Sequence, residues 1–239
     1  MIFNSFLSLI EVDAINQVGK RDGIGAFILI AIEAIGMFFL LKWIPLNGSY
    51  IYYQLAIHSL WIGAIILIVV LRKQGLSSIG FKKEAVPYIT VGVFTILAVV
   101  CAVWKENNEI MGRWFFYLIV VGGGEEILFR GVAYPRVAKM FDSPLAALII
   151  TGSLFGAMHQ IAPMVWNNAP WYGVFNHLGG GVIGTMFFLF IYASTENIIN
   201  AILVHAALDF SKYIPFFSIL SILYVIVLVV FKKARRKTV

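Results

Sequence analysis

The stretch GIGAFILIAIEAIGMFFLL at residues 23–41 contains a single charged side chain, Glu33. A helix that crosses a membrane needs about 20 mostly apolar residues, and this stretch meets that requirement. Three further stretches of the same kind follow at Tyr53–Leu71, Pro87–Trp104 and Ile214–Phe231. They predict helices that span a lipid bilayer.

Four less regular apolar stretches occupy the middle of the chain. They are short, rich in glycine, or interrupted by ionisable residues. The first is Trp114–Val121, which is followed by Gly122–Gly124 and two glutamates. The others are Pro144–His159, Tyr172–Ala193 and Asn197–Phe210. The sequence therefore predicts an all-α fold, a polytopic membrane bundle of about eight transmembrane helices with a polar centre.

The composition supports this class and excludes others. Hydrophobic residues make up 61% of the chain and charged residues 13%, against roughly a quarter charged in soluble proteins. A water-soluble globule and a disordered chain are therefore excluded. A disulfide-stapled scaffold is excluded because Cys101 is the only cysteine.

The basic residues predict the orientation, because cytoplasmic loops carry an excess of Lys and Arg. With both termini inside, most of the 18 basic residues fall on one face. The net charge of +6 is thus explained by topology, and we expect no nucleic-acid partner. The expected location is a bacterial cell membrane. The residues predicted at the cytoplasmic face are Lys20, Arg21, Arg72, Lys73, Lys82, Lys83, Arg136, Lys139, Lys232, Lys233, Arg235, Arg236 and Lys237.

The chain divides into one membrane domain with two short flanks. Residues 1–22 are predicted to be a cytoplasmic or interfacial segment, and no basic stretch marks them as a cleaved signal peptide. Residues 23–231 form the membrane domain, with a catalytic core at about 111–212. Residues 232–239 form a basic cytoplasmic tail.

The motif EEILFR at residues 125–130 places two carboxylates beside an arginine. In a helix, Glu126 and Arg130 stand at i and i+4 and can pair, whereas Glu125 points to another face. An unpaired carboxylate in this setting suits a general base. The alternative is that all three side chains reach a polar boundary of the membrane.

Two further motifs add imidazoles. FGAMH at residues 155–159 puts Phe155 one turn before His159, and HAALD at residues 205–209 puts His205 one turn before Asp209. Taken alone, each fits a satisfied buried histidine or a packing pair as well as a functional group. Together with Glu125 they comprise the groups needed to activate water and stabilise an oxyanion without a serine or cysteine nucleophile.

These three motifs, in this order, resemble the CPBP family of intramembrane proteases, also called the Abi or CAAX-protease and bacteriocin-processing family. The family pattern is EExxxR, then FxxxH, then HxxxN or HxxxD. The resemblance covers about residues 121–210. It implies hydrolysis of a peptide bond in a membrane-anchored or hydrophobic peptide.

The resemblance also implies roles for individual residues. Glu125 and His159 would activate water, and His205 with Asp209 would stabilise the oxyanion or complete a metal site. Glu126, Arg130 and Phe155 would give structural support. Glu125, His159 and His205 could be three ligands of a catalytic zinc, while a metal-free glutamate mechanism would use the same residues.

Other readings stay open at this stage. A non-catalytic immunity or scaffold protein of the same fold would tolerate loss of Glu125. Many family members carry Asn where this chain has Asp209, so Asp209 must be protonated, orient His205 or act at a metal. Glu33 is expected to pair across helices, and His58 and His177 to be satisfied core histidines.

Overall fold

The computed structural model describes residues 12–44 and 50–236, with side chains up to residue 230. These residues form an all-helical bundle and contain no strand. Short 3-10 turns precede or join the helices at Asp13–Gln17, Leu76–Ile79 and Trp171–Val174. The helices are α1 (Asp22–Trp43), α2 (Tyr50–Leu71), α3 (Ala85–Trp104), α4 (Glu109–Phe115), a π-helix (Phe116–Ala133), α5 (Tyr134–Phe141), α6 (Pro144–Met158), α7 (Ile161–Asn167), α8 (Phe175–Thr195), α9 (Ile198–Phe210) and α10 (Phe216–Arg236).

The predicted fold class is confirmed. Among the described residues, five helical stretches are long and apolar enough to cross a membrane, and α9 and α10 add two shorter apolar helices. On α1, Ile24, Ile28, Ile32 and Ile35 are all about half exposed or more. Their spacing places them along one helix face, which is the surface that such a helix turns toward lipid.

Two predicted flanks are described only in part. Of the predicted N-terminal segment, residues 1–11 lie outside the described residues, while Val12 and Ala14 are buried in the main core. Of the predicted basic tail, residues 237–239 lie outside the described residues. Helix α10 continues to Arg236, so the first part of that tail extends the last helix.

The glycine run at Gly122–Gly124 does not end its helix. A continuous helical path leads from α4 through the π-helix into α5, and the glycines lie inside it. A Cβ on Gly122 would lie 2.6 Å from the backbone oxygen of Ile202, and one on Gly123 would lie 3.4 Å from the Ile62 side chain. The missing side chain of Gly122 thus lets α9 pack directly against the π-helix, whereas a side chain at Gly123 would make an ordinary contact with α2.

Helices α6 and α8 also approach through glycine. A Cβ on Gly156 would lie 2.3 Å from the His177 backbone oxygen, and one on Gly181 would lie 2.3 Å from the Gly152 oxygen. Gly179 and Gly180 face open space. Of the three glycines at 179–181, only Gly181 therefore allows close packing, and α8 is not unwound there.

Candidate active site

The π-helix carries Glu125, Glu126 and Arg130 into the centre of the bundle. The Arg130 Nη1 atom lies 3.1 Å from Glu126 Oε1, and both side chains are fully buried. This is the ion pair that the i, i+4 spacing predicts. This segment is a π-helix with i→i+5 hydrogen bonds, so each residue is rotated about the helix axis by less than the 100° of an α-helix. Glu125 is nevertheless outside the pair.

Arg130 is enclosed by groups from three helices. Its guanidinium lies 4.2 Å from the Phe155 ring centroid and 5.4 Å from that of Phe188, so it stands between two aromatic faces. It also donates a hydrogen bond from Nη2 to Thr185 Oγ1 at 3.1 Å. Because a buried charge is costly without such partners, these contacts fix the position of the pair with Glu126.

Glu126 has a second partner that the sequence did not indicate. His205 donates from Nδ1 to Glu126 Oε1 at 2.7 Å. The carboxylate can only accept, so the Nδ1 atom carries the proton and the Nε2 atom is turned the other way. The His205 ring also stacks on Phe188 at 4.3 Å between centroids. Glu126 thus connects Arg130 with His205 and orients the imidazole.

The His205 Nε2 atom faces two further carboxylates. It lies 3.7 Å from Glu125 Oε2 and 3.8 Å from Asp209 Oδ2, which is too far for direct hydrogen bonds. Asp209 also lies 3.5 Å from Lys212 Nζ. Asp209 is therefore a charged neighbour of His205, while the hydrogen bond that orients the ring comes from Glu126.

His159 follows the last residue of α6 and has one defined tautomer. Its Nδ1 atom donates to the Phe155 backbone oxygen at 2.9 Å, which leaves Nε2 free to accept. The Phe155 ring packs edge-on against the imidazole at 4.7 Å between centroids. His159 is thus held by its own helix and still offers one nitrogen atom to its surroundings.

Glu125 and His159 line the same cavity of about 220 Å³. The Glu125 Oε2 atom is buried and has no hydrogen-bond partner among the described residues. Its ionisable neighbours are His205, His159, Arg130 and Glu126. Glu125 therefore stands between the cavity, which holds His159, and the cluster around His205.

The structure brings the predicted residues together and adds others. The α8 residues Gly181, Thr185 and Phe188 share one face, and the last two contact Arg130 or His205. Their i, i+4, i+7 spacing was visible in the sequence but included no ionisable residue to mark it. Gly152 and Gly156 form a small-xxx-small pair, another pattern that can mark the contact face of a helix. These residues became assignable only through the packing.

The remaining polar predictions have clear surroundings. His58 Nε2 lies 3.4 Å from Glu33 Oε1, so Glu33 pairs across helices as predicted. His177 Nε2 donates to Gln160 Oε1 at 3.0 Å, consistent with a satisfied histidine. Cys101 is a free cysteine that packs against an apolar cluster around Trp114.

The three predicted zinc ligands do not form a ligand set as they are arranged. Within the described parts of the chain, no group of three or more His, Cys, Asp or Glu side chains is placed to hold a metal ion. His205 and Glu125 face each other, and the Nδ1 atoms of both His159 and His205 are committed to oxygen acceptors, a common arrangement for ligands. In this arrangement Glu125, His159 and His205 are not placed to contact one ion together.

These features define a class of protein: a helical membrane bundle whose centre combines three carboxylates, two imidazoles, a buried arginine and a cavity. Residues 107–211 match the family described as Type II CAAX prenyl endopeptidase Rce1-like. No curated protein and no solved structure gives a significant match. The match includes EEILFR, FGAMH and HAALD, so the resemblance to the CPBP and CAAX-protease family is confirmed over residues 107–211.

Proposed function

We propose that this protein is an intramembrane endopeptidase that hydrolyses a peptide bond in a membrane-anchored or hydrophobic peptide. The observation that carries the proposal is the position of Glu125. Its Oε2 atom has no hydrogen-bond partner in the described structure, lies beside a cavity that also holds His159, and is 3.7 Å from His205 Nε2. The family match of residues 107–211 supports the same reaction class.

In the proposed reaction, Glu125 accepts a proton from a water molecule in the cavity. His159 accepts a hydrogen bond from the same water through its free Nε2 atom and so positions the water oxygen. That oxygen attacks the carbonyl carbon of the substrate and forms the new C–O bond. The proton on Glu125 then passes to the leaving nitrogen as the C–N bond breaks.

His205 has the geometry to stabilise the developing oxyanion. Its Nδ1–H is held by Glu126, and its Nε2 atom faces the site beside Glu125 and Asp209. When Nε2 carries a proton, it donates to the substrate oxygen, and the nearby carboxylates favour that protonated form. In this proposal Asp209 need not donate to the oxyanion, because it acts through its charge on His205, whose Nε2 atom lies 3.8 Å from Asp209 Oδ2.

Zinc remains a prediction without a step in this mechanism. If a metal binds, Glu125, His159 and His205 would have to rearrange to hold it, and it would supply Lewis-acid polarisation of water or substrate. Elemental analysis of the purified protein and cleavage assays after chelation test it. A stoichiometric metal that restores lost activity would establish it, and full activity of metal-free protein would refute it.

The decisive test replaces Glu125 by Gln in the full-length protein reconstituted in lipid. We expect Glu125→Gln to lower the cleavage rate of a farnesylated peptide built on the C-a-a-X pattern by roughly 10²- to 10⁴-fold, the usual loss for a general base. The thermal midpoint should stay close to that of the unsubstituted protein. The matched control is Glu109→Gln, since Glu109 is an exposed residue of α4 that pairs with Arg113. Equal cleavage by both variants would refute the proposal.

A further inference from the structure

A second polar cluster lines the same cavity, on α1 and α2. Glu33 comes from α1, and Gln54 and His58 come from α2. Gln54 is 2% exposed and His58 is 5% exposed. Most of the other lining residues from these helices and from the π-helix are apolar, including Met37, Leu41 and Leu128. Three polar residues in this otherwise apolar wall require a physical reason.

Gln54 holds a hydrogen-bond donor without a partner. Its Nε2 atom is buried and makes no hydrogen bond with any residue that the structure describes. The Tyr50 hydroxyl is close enough to interact with the Gln54 side chain, but the Nε2 atom does not meet the distance and angle of a hydrogen bond. Leaving a buried amide donor unpaired is costly, so such groups are retained where a ligand or water pairs with them. Gln54 is one of the residues that line the cavity of about 220 Å³.

The neighbouring Glu33 and His58 side chains form a contact between α1 and α2 within this wall. His58 donates from Nδ1 to the Gln54 backbone oxygen at 3.0 Å, and its Nε2 atom lies 3.4 Å from Glu33 Oε1. A carbonyl oxygen only accepts, so the Nδ1 atom carries a proton. The group that awaits a partner is therefore the Gln54 amide, and that partner must be an oxygen acceptor.

The cluster is close to the proposed base. A Cβ on Gly124 would lie 3.5 Å from His58 Cδ2, and Gly124 directly precedes Glu125. Gln54 is four residues before His58, which is a rise of about 6 Å along α2. An extended peptide advances about 3.3 Å per residue. The rise of about 6 Å thus corresponds to about two residues of an extended peptide. When the scissile bond of such a peptide lies beside Glu125, a peptide oxygen about two residues away lies beside the Gln54 amide.

We propose that Gln54 is a substrate-positioning residue, whose Nε2 donates a hydrogen bond to a carbonyl or carboxylate oxygen of the peptide about two residues from the scissile bond. The Glu33–His58 pair fixes the backbone and the wall that carry it. This inference rests on the proposed function, since it takes the cavity as the binding site of a peptide. The oxygen is either an internal peptide carbonyl or the terminal carboxylate.

The test measures binding and stability together in the full-length protein in lipid nanodiscs. In a Glu125→Gln background, a fluorescein-labelled, farnesylated peptide ending in Cys-Val-Leu-Met serves as the probe. Replacing Gln54 by Leu should raise its Kd roughly three- to tenfold, the size expected for one hydrogen bond. The thermal midpoint without peptide should stay equal or rise, because the change removes an unpaired buried donor. Gln17→Leu is the matched control, since Gln17 instead pairs with exposed Ser77.

An unchanged Kd for Gln54→Leu would overturn the inference, and so would a lowered thermal midpoint, which would show a structural role. Repeating the measurement with a C-terminally amidated peptide identifies the oxygen. A penalty that disappears assigns the terminal carboxylate, and a penalty that persists assigns an internal carbonyl. The rates of the Gln54→Leu protein with Glu125 intact complete the test: KM should rise more than kcat falls. If the unsubstituted protein cleaves nothing but the Kd still rises, the proposed function fails and the binding residue stands.

Discussion

At the scale of single residues, the two adjacent glutamates have different surroundings. Glu126 is fully buried and contacts Arg130 and His205, whereas the Glu125 side chain keeps 31% of its surface accessible. Adjacent positions on one helix point in different directions, so neighbouring carboxylates can be placed in a charge network and beside a cavity. The two proposed roles follow from this difference: Glu126 orients His205, and Glu125 faces the reacting water.

This difference predicts that matched substitutions of the two glutamates lower the stability of the protein by very different amounts. Glu126→Gln leaves the Arg130 guanidinium buried without its counter-charge, a change that costs about 3–5 kcal/mol in comparable buried pairs. Glu125→Gln removes a carboxylate oxygen that lacks a partner in the described structure, so it should cost little stability. Thermal unfolding in detergent measures both. Equal midpoints for the two variants would contradict the assignment of Glu126 as the structural partner.

Asp209 gives a second prediction at this scale. Its Oδ2 atom is 3.8 Å from His205 Nε2, so it acts through charge and its removal leaves the Glu126 hydrogen bond intact. We expect Asp209→Asn to keep the fold and to change the cleavage rate by less than roughly tenfold, whereas His205→Gln should lower it by roughly 10² or more. Rates measured across pH check both. A loss as large for Asp209→Asn as for His205→Gln would show that Asp209 itself touches the reacting atoms.

At the scale of elements, glycines decide how closely the helices approach the π-helix. Gly122 has the Ile202 backbone oxygen where its side chain would be, and Gly124 has only the edge of the His58 ring. The two positions thus differ in what surrounds them, although both belong to one glycine run. Backbone cannot move aside as a flexible side chain can, and α9 carries His205.

Matched alanine substitutions test this packing. Gly122→Ala would set a methyl group 2.6 Å from the Ile202 oxygen, so we expect a destabilisation of about 1–3 kcal/mol. Gly124→Ala would make an ordinary contact at 3.5 Å and should change stability by about 0.5 kcal/mol or less. Thermal midpoints in one detergent compare them. If Gly124→Ala were the more damaging variant, the close approach of α9 would not be the constraint.

At the scale of the whole molecule, the loops with basic residues meet at one end. Arg72 binds Asp22 at 2.7 Å, and Lys20 pairs with Asp142. Lys82 binds both Asp13 and Glu196. Burial acts to lower the pKa of Lys82, but its hydrogen bonds with Glu196 and Asp13 outweigh that effect and raise it. The segments that sequence analysis placed on the cytoplasmic face are therefore neighbours, which supports the proposal that this end faces the cytoplasm.

Cysteine labelling tests that orientation. In a Cys101→Ala background, Lys73→Cys and Lys105→Cys place one thiol beyond the end of α2 and one beyond the end of α3, and both lysines are exposed. In right-side-out bacterial vesicles, an impermeant maleimide should label only the Lys105→Cys protein, because the proposed topology puts position 73 inside. Labelling of Lys73→Cys alone would invert the topology.

The sequence by itself determined the membrane class, most helix positions and the residues of EEILFR, FGAMH and HAALD. Long apolar stretches have no stable alternative to helices in lipid, and i, i+4 spacing places Glu126 and Arg130 on one face of a helix. Only the tertiary structure joined Glu126 to His205, enclosed Arg130 between Phe155 and Phe188, and put Gln54 into the cavity of Glu125. Those contacts join residues far apart in the chain, and helix packing sets them, which local patterns do not encode.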